Sequence, residues 1–180
     1  MKRPMLYALL MLVLAAPLRV ADAQIVPTTN ASALDGSLVQ FPAATRGRAL
    51  VLVIAFSRAA IASADSWMRR LTEAYERDPR VAYYQLADFD GVPSFVLWFI
   101  KHGMRRSMPP EAQAHVVPLR TGEADWTHLV HPGALSDAYV VVADTLGRVV
   151  WQGHGVATDS AYGALHHEID LVLAKTAELN

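Results

Sequence analysis

The sequence predicts an α/β domain with a mixed central sheet and helices on both faces. Three observations carry this. Residues 49–56 (ALVLVIAF) form an apolar run without alternation, the signature of a strand buried on both faces. Strand-like and helix-like segments then alternate through the first half, which asks for parallel strands joined by crossover helices. The second half closes with two strands around a Gly turn and a long helical segment, an antiparallel edge with a helix laid over it.

The elements follow in order. Residues 24–33 (QIVPTTNASA) are polar and read as a short flexible leader. They hold the sequon Asn30-Ala31-Ser32, which matters only in a eukaryotic secretory route. Asp35-Gly36 is a turn pair before 37–41 (SLVQF), giving a short hairpin arm. Residues 49–56 are the central strand. Residues 65–78 are helical, with Trp67, Leu71, Ala74 and Tyr75 on one face and Asp65 in the first turn, until Pro79 stops them. Residues 81–86 (VAYYQL) are the second strand, and Asp88, Asp90 and Gly91 turn the chain. Residues 94–102 (SFVLWFIKH) are a strongly apolar helix, expected to be buried and to end at Gly103. Residues 104–114 are a loop with Pro109-Pro110, 116–119 a brief strand and 123–131 a short helix ended by Pro132-Gly133. Residues 138–144 and 149–152 form a hairpin, and 160–176 the last helix, with Leu165, Ile169 and Val172 facing inward. This order fits a thioredoxin-like sandwich with one inserted helix.

Composition narrows the function. The chain has 180 residues, one domain by length, and 53% of them are apolar against 18% charged, which excludes a disordered chain. Sixteen basic residues meet 17 acidic ones, so no basic excess points to nucleic acid. Cysteine is absent, which removes disulfides, thiolate metal sites and cysteine nucleophiles.

Residues 1–23 read as a cleavable export signal. Lys2 and Arg3 precede an apolar stretch from Met5 to Ala16, Pro17 breaks it, and Ala21-Asp22-Ala23 supplies a cleavage site before Gln24. The 14 residues 5–18 are short of a bilayer span of about 20. The expected product is periplasmic or extracellular, cleaved after Ala23, and touches membrane only through this segment if it is uncleaved. Cleavage takes three basic residues and one acidic one, leaving 13 against 16 and a net charge of −3. Residues 34–180 are then the thioredoxin-like domain.

Three stretches resemble a known family. They are 50–70 (LVLVIAFSRAAIASADSWMRR); 95–117, with Ile100-Lys101-His102-Gly103-Met104-Arg105-Arg106 and Met108-Pro109-Pro110-Glu111; and the hairpin Tyr139-Val140-Val141-Val142-Ala143-Asp144, Gly147-Arg148-Val149-Val150-Trp151, Gly153-His154-Gly155. Together they resemble the mitochondrial ATP synthase assembly factors called the ATPase complex subunit ten family, and their bacterial relatives, over about residues 36–175. The resemblance implies a thioredoxin fold, a protein partner and a role in assembling that partner. In redox-active proteins of this fold, thiols open the helix after the first central strand, and a cis-proline precedes the strand facing them. The matching stretches here are 57–63 (SRAAIAS) and Leu135-Ser136-Asp137-Ala138, with neither cysteine nor proline. Serine does not replace a thiolate nucleophile. The chain is therefore expected to be non-catalytic and to bind a protein. The concavity left by the missing thiols is the candidate docking place, lined by Ser57, Arg58, Ala59, Ala60 and Ile61, with Ser136 and Asp137 opposite. Capping of the helix by Ser57 or Ser63 is the simpler role for part of that segment.

The alternative is a histidine-based metal protein or metal-assisted enzyme on the same fold. Seven histidines are present: His102, His115, His128, His131, His154, His166 and His167. Only His128/His131 and His166/Asp170 have helix-face spacing, and no HExxH or equivalent unites three ligands. No cofactor, metal or catalytic residue is assigned on this pattern. Asp88 and Asp90 suit a turn better than acid–base chemistry, and no nucleophile elbow or phosphate loop occurs. Arg69-Arg70 and Arg105-Arg106 are solvated helix ends or docking points for an acidic partner. Trp67, Trp98 and Trp151 read as core.

Overall fold

The computed structural model describes residues 24–43 and 47–178. The expected export signal, residues 1–23, lies outside the described residues.

A five-stranded sheet of order β5-β4-β3-β6-β7 organises the chain, from β3 (Ala49–Ala55), β4 (Val81–Asp88), β5 (Val116–Leu119), β6 (Tyr139–Ala143) and β7 (Val149–His154). β3, β4 and β5 are parallel, while β6 runs antiparallel to β3 and β7 antiparallel to β6. Every residue of β3 is buried. Its alternate side chains feed two cores, as the pleat requires. Val51 and Val53 meet Trp67 and Leu71 of α1 (Ile61–Tyr75) and Leu165 and Ile169 of α5 (Asp159–Glu178). Leu50, Leu52 and Ile54 meet Trp126 and Leu129 of α4 (Glu123–Val130) and Phe41 on the other face. The expected mixed sheet with helices on both faces is what the chain forms.

Residues 24–33 are not a structureless leader. β1 (Thr29–Ser32) pairs antiparallel with β2 (Leu38–Phe41), Val26 is buried, and Ile25 bridges Arg148. The Val26 N–H donates to the Gly147 carbonyl at 2.9 Å, and the Val149 N–H to that of Gln24 at 2.7 Å. A polar strand such as TNAS has little intrinsic strand signal, and partner backbone supplies its order. Gly147, at φ +81°, sits where an added Cβ would meet the Pro42 ring at 2.6 Å, so this turn needs glycine for both space and conformation.

Two helix boundaries differ from expectation. α1 begins at Ile61, after a 3-10 turn Arg58–Ala60 capped by Ser57, so Asp65 lies beyond the first turn. Ala74, placed on its inward face by spacing, is exposed. α2 (Ser94–Ser107) runs through Gly103, because an exposed glycine costs a helix only about 1 kcal/mol. It stops where Pro109 holds Met108 extended, at φ −115° and ψ 140°. The expected loop after it contains α3 (Pro110–Gln113).

The apolar α2 is also not buried. Of its residues only Leu97 is buried, while Phe95, Trp98 and Phe99 are 69%, 60% and 66% exposed. The spacing explains this: residues 95–100 are apolar all round the helix, and only one arc of it meets the domain. In the hairpin motif, Trp151 and Gly153 share a face of β7. The ring of Trp151 covers the place a Cβ at position 153 would take and meets Trp67 edge-on at 6.4 Å.

Candidate functional site

β3 delivers the chain to Ser57 at the sheet's C-terminal end. There the Ser57 hydroxyl oxygen accepts from the Ala59 N–H at 3.0 Å, as an N-cap, and donates to the Leu135 carbonyl at 2.5 Å. Ser63, buried within α1, accepts from the Ala138 N–H at 3.1 Å. Two serines thus bind the start of α1 to the loop before β6. The sequence offered capping or a docking wall for this segment, and Ser57 both caps the turn and joins the two walls.

The loop has a second anchor. The Tyr139 hydroxyl accepts from the N–H groups of Gly133 and Ala134, each at 2.8 Å, and donates to the Ala134 carbonyl at 3.1 Å. Gly155 donates to the Ala138 carbonyl at 2.9 Å, which sets residue 156 beside the same loop. The Trp67 indole N–H closes the arrangement onto the Gly155 carbonyl at 2.7 Å.

The two segments of the expected docking place therefore come together, joined by the Ser57–Leu135 and Ser63–Ala138 bonds. Ser57, Arg58, Ala59 and Ile61 border it on one side, Ser136 and Asp137 on the other. Ala60 does not: it is fully buried in the core under α1, so it supports the surface without lining it. Spacing missed two further residues. Leu135 and Val156 are 71% and 57% exposed and join Ile61, 45% exposed, as an apolar trio on a rim held by hydrogen bonds. Asp137 and the His154 ring nitrogen Nδ1 stand 2.8 Å apart, beside an open cleft of about 380 Å³ that Tyr139 and His131 also line. His154 ends β7, opposite Tyr139, and its ring stacks on that tyrosine at 5.9 Å. The hairpin register, counted back from the Gly147 turn, was the signal available for that pairing.

Four other histidines lie against neighbouring rings or hydroxyls. His115 stacks on Tyr83 at 4.1 Å, His166 meets the Tyr75 hydroxyl at 2.6 Å, and His128 and His131 lie 5.4 Å apart. Among the described residues no three His, Cys, Asp or Glu side chains converge to hold a metal ion. The sequence contains no cysteine, so the position where thiols would stand carries Ser57 and its neighbours instead.

No protein-family profile matches the chain, and no curated protein matches it in sequence. Solved structures do match in shape. The thioredoxin domain of a thiol-disulfide oxidoreductase from Bacteroides vulgatus superposes with a TM-score of 0.56 at 12% identity, over 82% of this chain and 96% of that one. The pneumococcal exposed lipoprotein thioredoxin Etrx1 from Streptococcus pneumoniae gives 0.56 at 12% identity, over 79% and 99%. BsSco, a member of the Sco family of cytochrome c oxidase assembly proteins, gives 0.56 at 9% identity, over 85% and 94%. At such identities the likeness establishes the fold alone. It is a thioredoxin-like fold, in a chain without a thiol.

Proposed function

We propose that this chain is an exported, non-catalytic thioredoxin-like domain that binds a protein partner at the surface where thiol-bearing proteins of the fold carry their cysteines. The observation that carries the reading is the Ser57–Leu135 bond, which keeps that surface assembled although no chemistry uses it. Around it stand Ile61, Leu135 and Val156 with the Arg58 cation, an apolar patch beside a group suited to a partner's carboxylate. Hydrogen bonds on both walls order the patch before binding, which lowers the ordering cost of association.

Assistance in assembling a partner complex is the finer part of the proposal. Two likenesses support it: the resemblance of three stretches to ATP synthase assembly factors, and the shape shared with a Sco-family assembly protein. Export is supported by residues 1–23 and by the shape shared with an exposed lipoprotein.

Tagged protein expressed in its own cells, recovered and analysed by mass spectrometry, tests the reading. The double variant Ile61→Asp, Arg58→Glu is expected to lose a recovered partner while Tm moves by only a few degrees, because both side chains are exposed. Undiminished recovery by the double variant would overturn the assignment of this surface.

A further inference from the structure

The outer face of α2 is the largest feature that the docking surface leaves unused. At about 100° per residue, Phe95, Phe99, Trp98, His102 and Arg106 fall on the half of the helix opposite Leu97 and Met104. The Trp98 and Phe99 rings pack on the helix itself. Trp98 meets Phe99 edge-on at 4.9 Å and stacks on His102 at 5.5 Å. The first two turns thus present aromatic rings, and the last two present cations.

The charge of the helix has one sign. α2 contains Lys101, Arg105 and Arg106 and no carboxylate, with Arg106 on the aromatic face and half-buried Lys101 on the flank nearer Leu97. Arg120 joins them through a 2.8 Å bond to the Ser94 hydroxyl. Arg105 donates to the Leu34 carbonyl and lies near Asp35, whose carboxyl it helps hold down. Lys101 and Arg106 have no ion-pair partner among the described residues. Burial and the neighbouring Arg105 and Arg120 push the Lys101 ammonium below its usual range, with no carboxylate opposing them.

We infer that α2 is a docking helix for an anionic lipid surface, its Phe95, Trp98 and Phe99 rings entering the headgroup boundary while Arg106 on that face, and Lys101 reaching from its flank, meet lipid phosphates. Aromatic rings and cations on one exposed helix are the composition that lies in a membrane interface, with the rings about 5–10 Å deep. Each cation near an anionic leaflet adds to the attraction, and no acid on α2 opposes it. Shape favours lipid over protein. The aromatic face is the convex outer side of a helix, which a soft flat surface covers without a matching pocket. From sequence, membrane contact belonged to the N-terminal segment alone, because α2 was expected to be buried. Its exposure opens this second route, which is independent of the thiol-free surface.

Tryptophan emission of the full chain reads α2, because Trp67 and Trp126 are fully buried, Trp151 is half-buried against Trp67, and Trp98 is the most exposed of the four. Vesicles of phosphatidylcholine containing about a third phosphatidylglycerol are expected to shift the emission to the blue, and brominated lipid to quench it. Trp98→Phe should lose both signals, whatever residues 1–23 do. The pair Lys101→Glu, Arg106→Glu should weaken the shift about tenfold or more in lipid concentration, and pure phosphatidylcholine should do the same. Absent shift and quenching, or signals that survive Trp98→Phe, would overturn the proposal. So would equal response to neutral vesicles. A Trp98 shift produced by soluble polyglutamate and not by vesicles would reassign the face to an acidic protein.

Discussion

α1 and α2 are nearly the same length, 15 and 14 residues, and each carries one tryptophan in an apolar setting. Their fates are opposite. Trp67 is fully buried, edge-on to Trp151 with its N–H bonded to Gly155, whereas Trp98 is 60% exposed on a face that no element among the described residues covers. α1 confines Ala64, Trp67, Leu71 and Tyr75 to one stripe and puts Arg69 and Glu73 elsewhere. α2 spreads its apolar residues round the helix, and only the arc holding Leu97 meets the domain. The amount of apolar surface does not decide burial. Spacing decides which arc can be covered, and the neighbouring layers decide whether it is.

The sharpest way to break that comparison is to truncate both tryptophans. Trp67→Ala should cost about 3–5 kcal/mol through lost transfer energy and a cavity, and Trp98→Ala less than about 0.5 kcal/mol. Denaturant melts of the two variants decide it, and equal costs would mean that α2 is covered in solution.

A smaller contrast lies within the core. Trp126 is fully buried, yet its indole N–H has no hydrogen-bond partner, while that of Trp67 does. Phenylalanine at 126 removes an unsatisfied donor, whereas at 67 it leaves the Gly155 carbonyl without its indole. Trp67→Phe is therefore expected to cost about 1–2 kcal/mol more than Trp126→Phe in the same melts. The reverse order would show that the Trp67 bond contributes little to the α1 face.

The smallest effect concerns Asp65, on the solvent side of α1. Burial raises its carboxyl above the usual 3.8, with Arg69 acting the other way. The folded state thus holds the ionised form less readily than the unfolded chain does. This removes some stability above the folded pKa, and the loss fades as pH falls through the window between the two values. Asp65→Asn should raise Tm slightly at neutral pH, with the gain over wild type vanishing below about pH 4. Solvent screening at this exposed site keeps the effect small. A gain that grows on acidification would reverse the sign of the shift.

The candidate site was legible in part. Residues 57–61 could be placed at the end of the central strand because a seven-residue buried run leaves little freedom about where the chain emerges. Ser136 and Asp137 followed from the strand after them. His154 and Val156 were not found, because each reaches the loop through pairing of β6 with β7 and through the Gly155–Ala138 bond. Ser63 read as a possible cap, and its bond to Ala138 spans 75 residues of chain. Such partners are distant in sequence and carry no local period.

What the sequence determined by itself is therefore the class, the alternation of strands and helices from the central strand onward, and the absence of cysteine. Hydrophobic period and residue type are local quantities, and the strand of residues 49–55 and the stripe of α1 are written in them. Tertiary structure alone decided the order in residues 24–33, the burial of Ala60, the meeting of Asp137 with His154 and the exposure of α2. Each depends on which surface lies opposite, and a neighbour across the sheet can make a polar strand such as TNAS orderly or leave an apolar helix such as SFVLWFIKH uncovered.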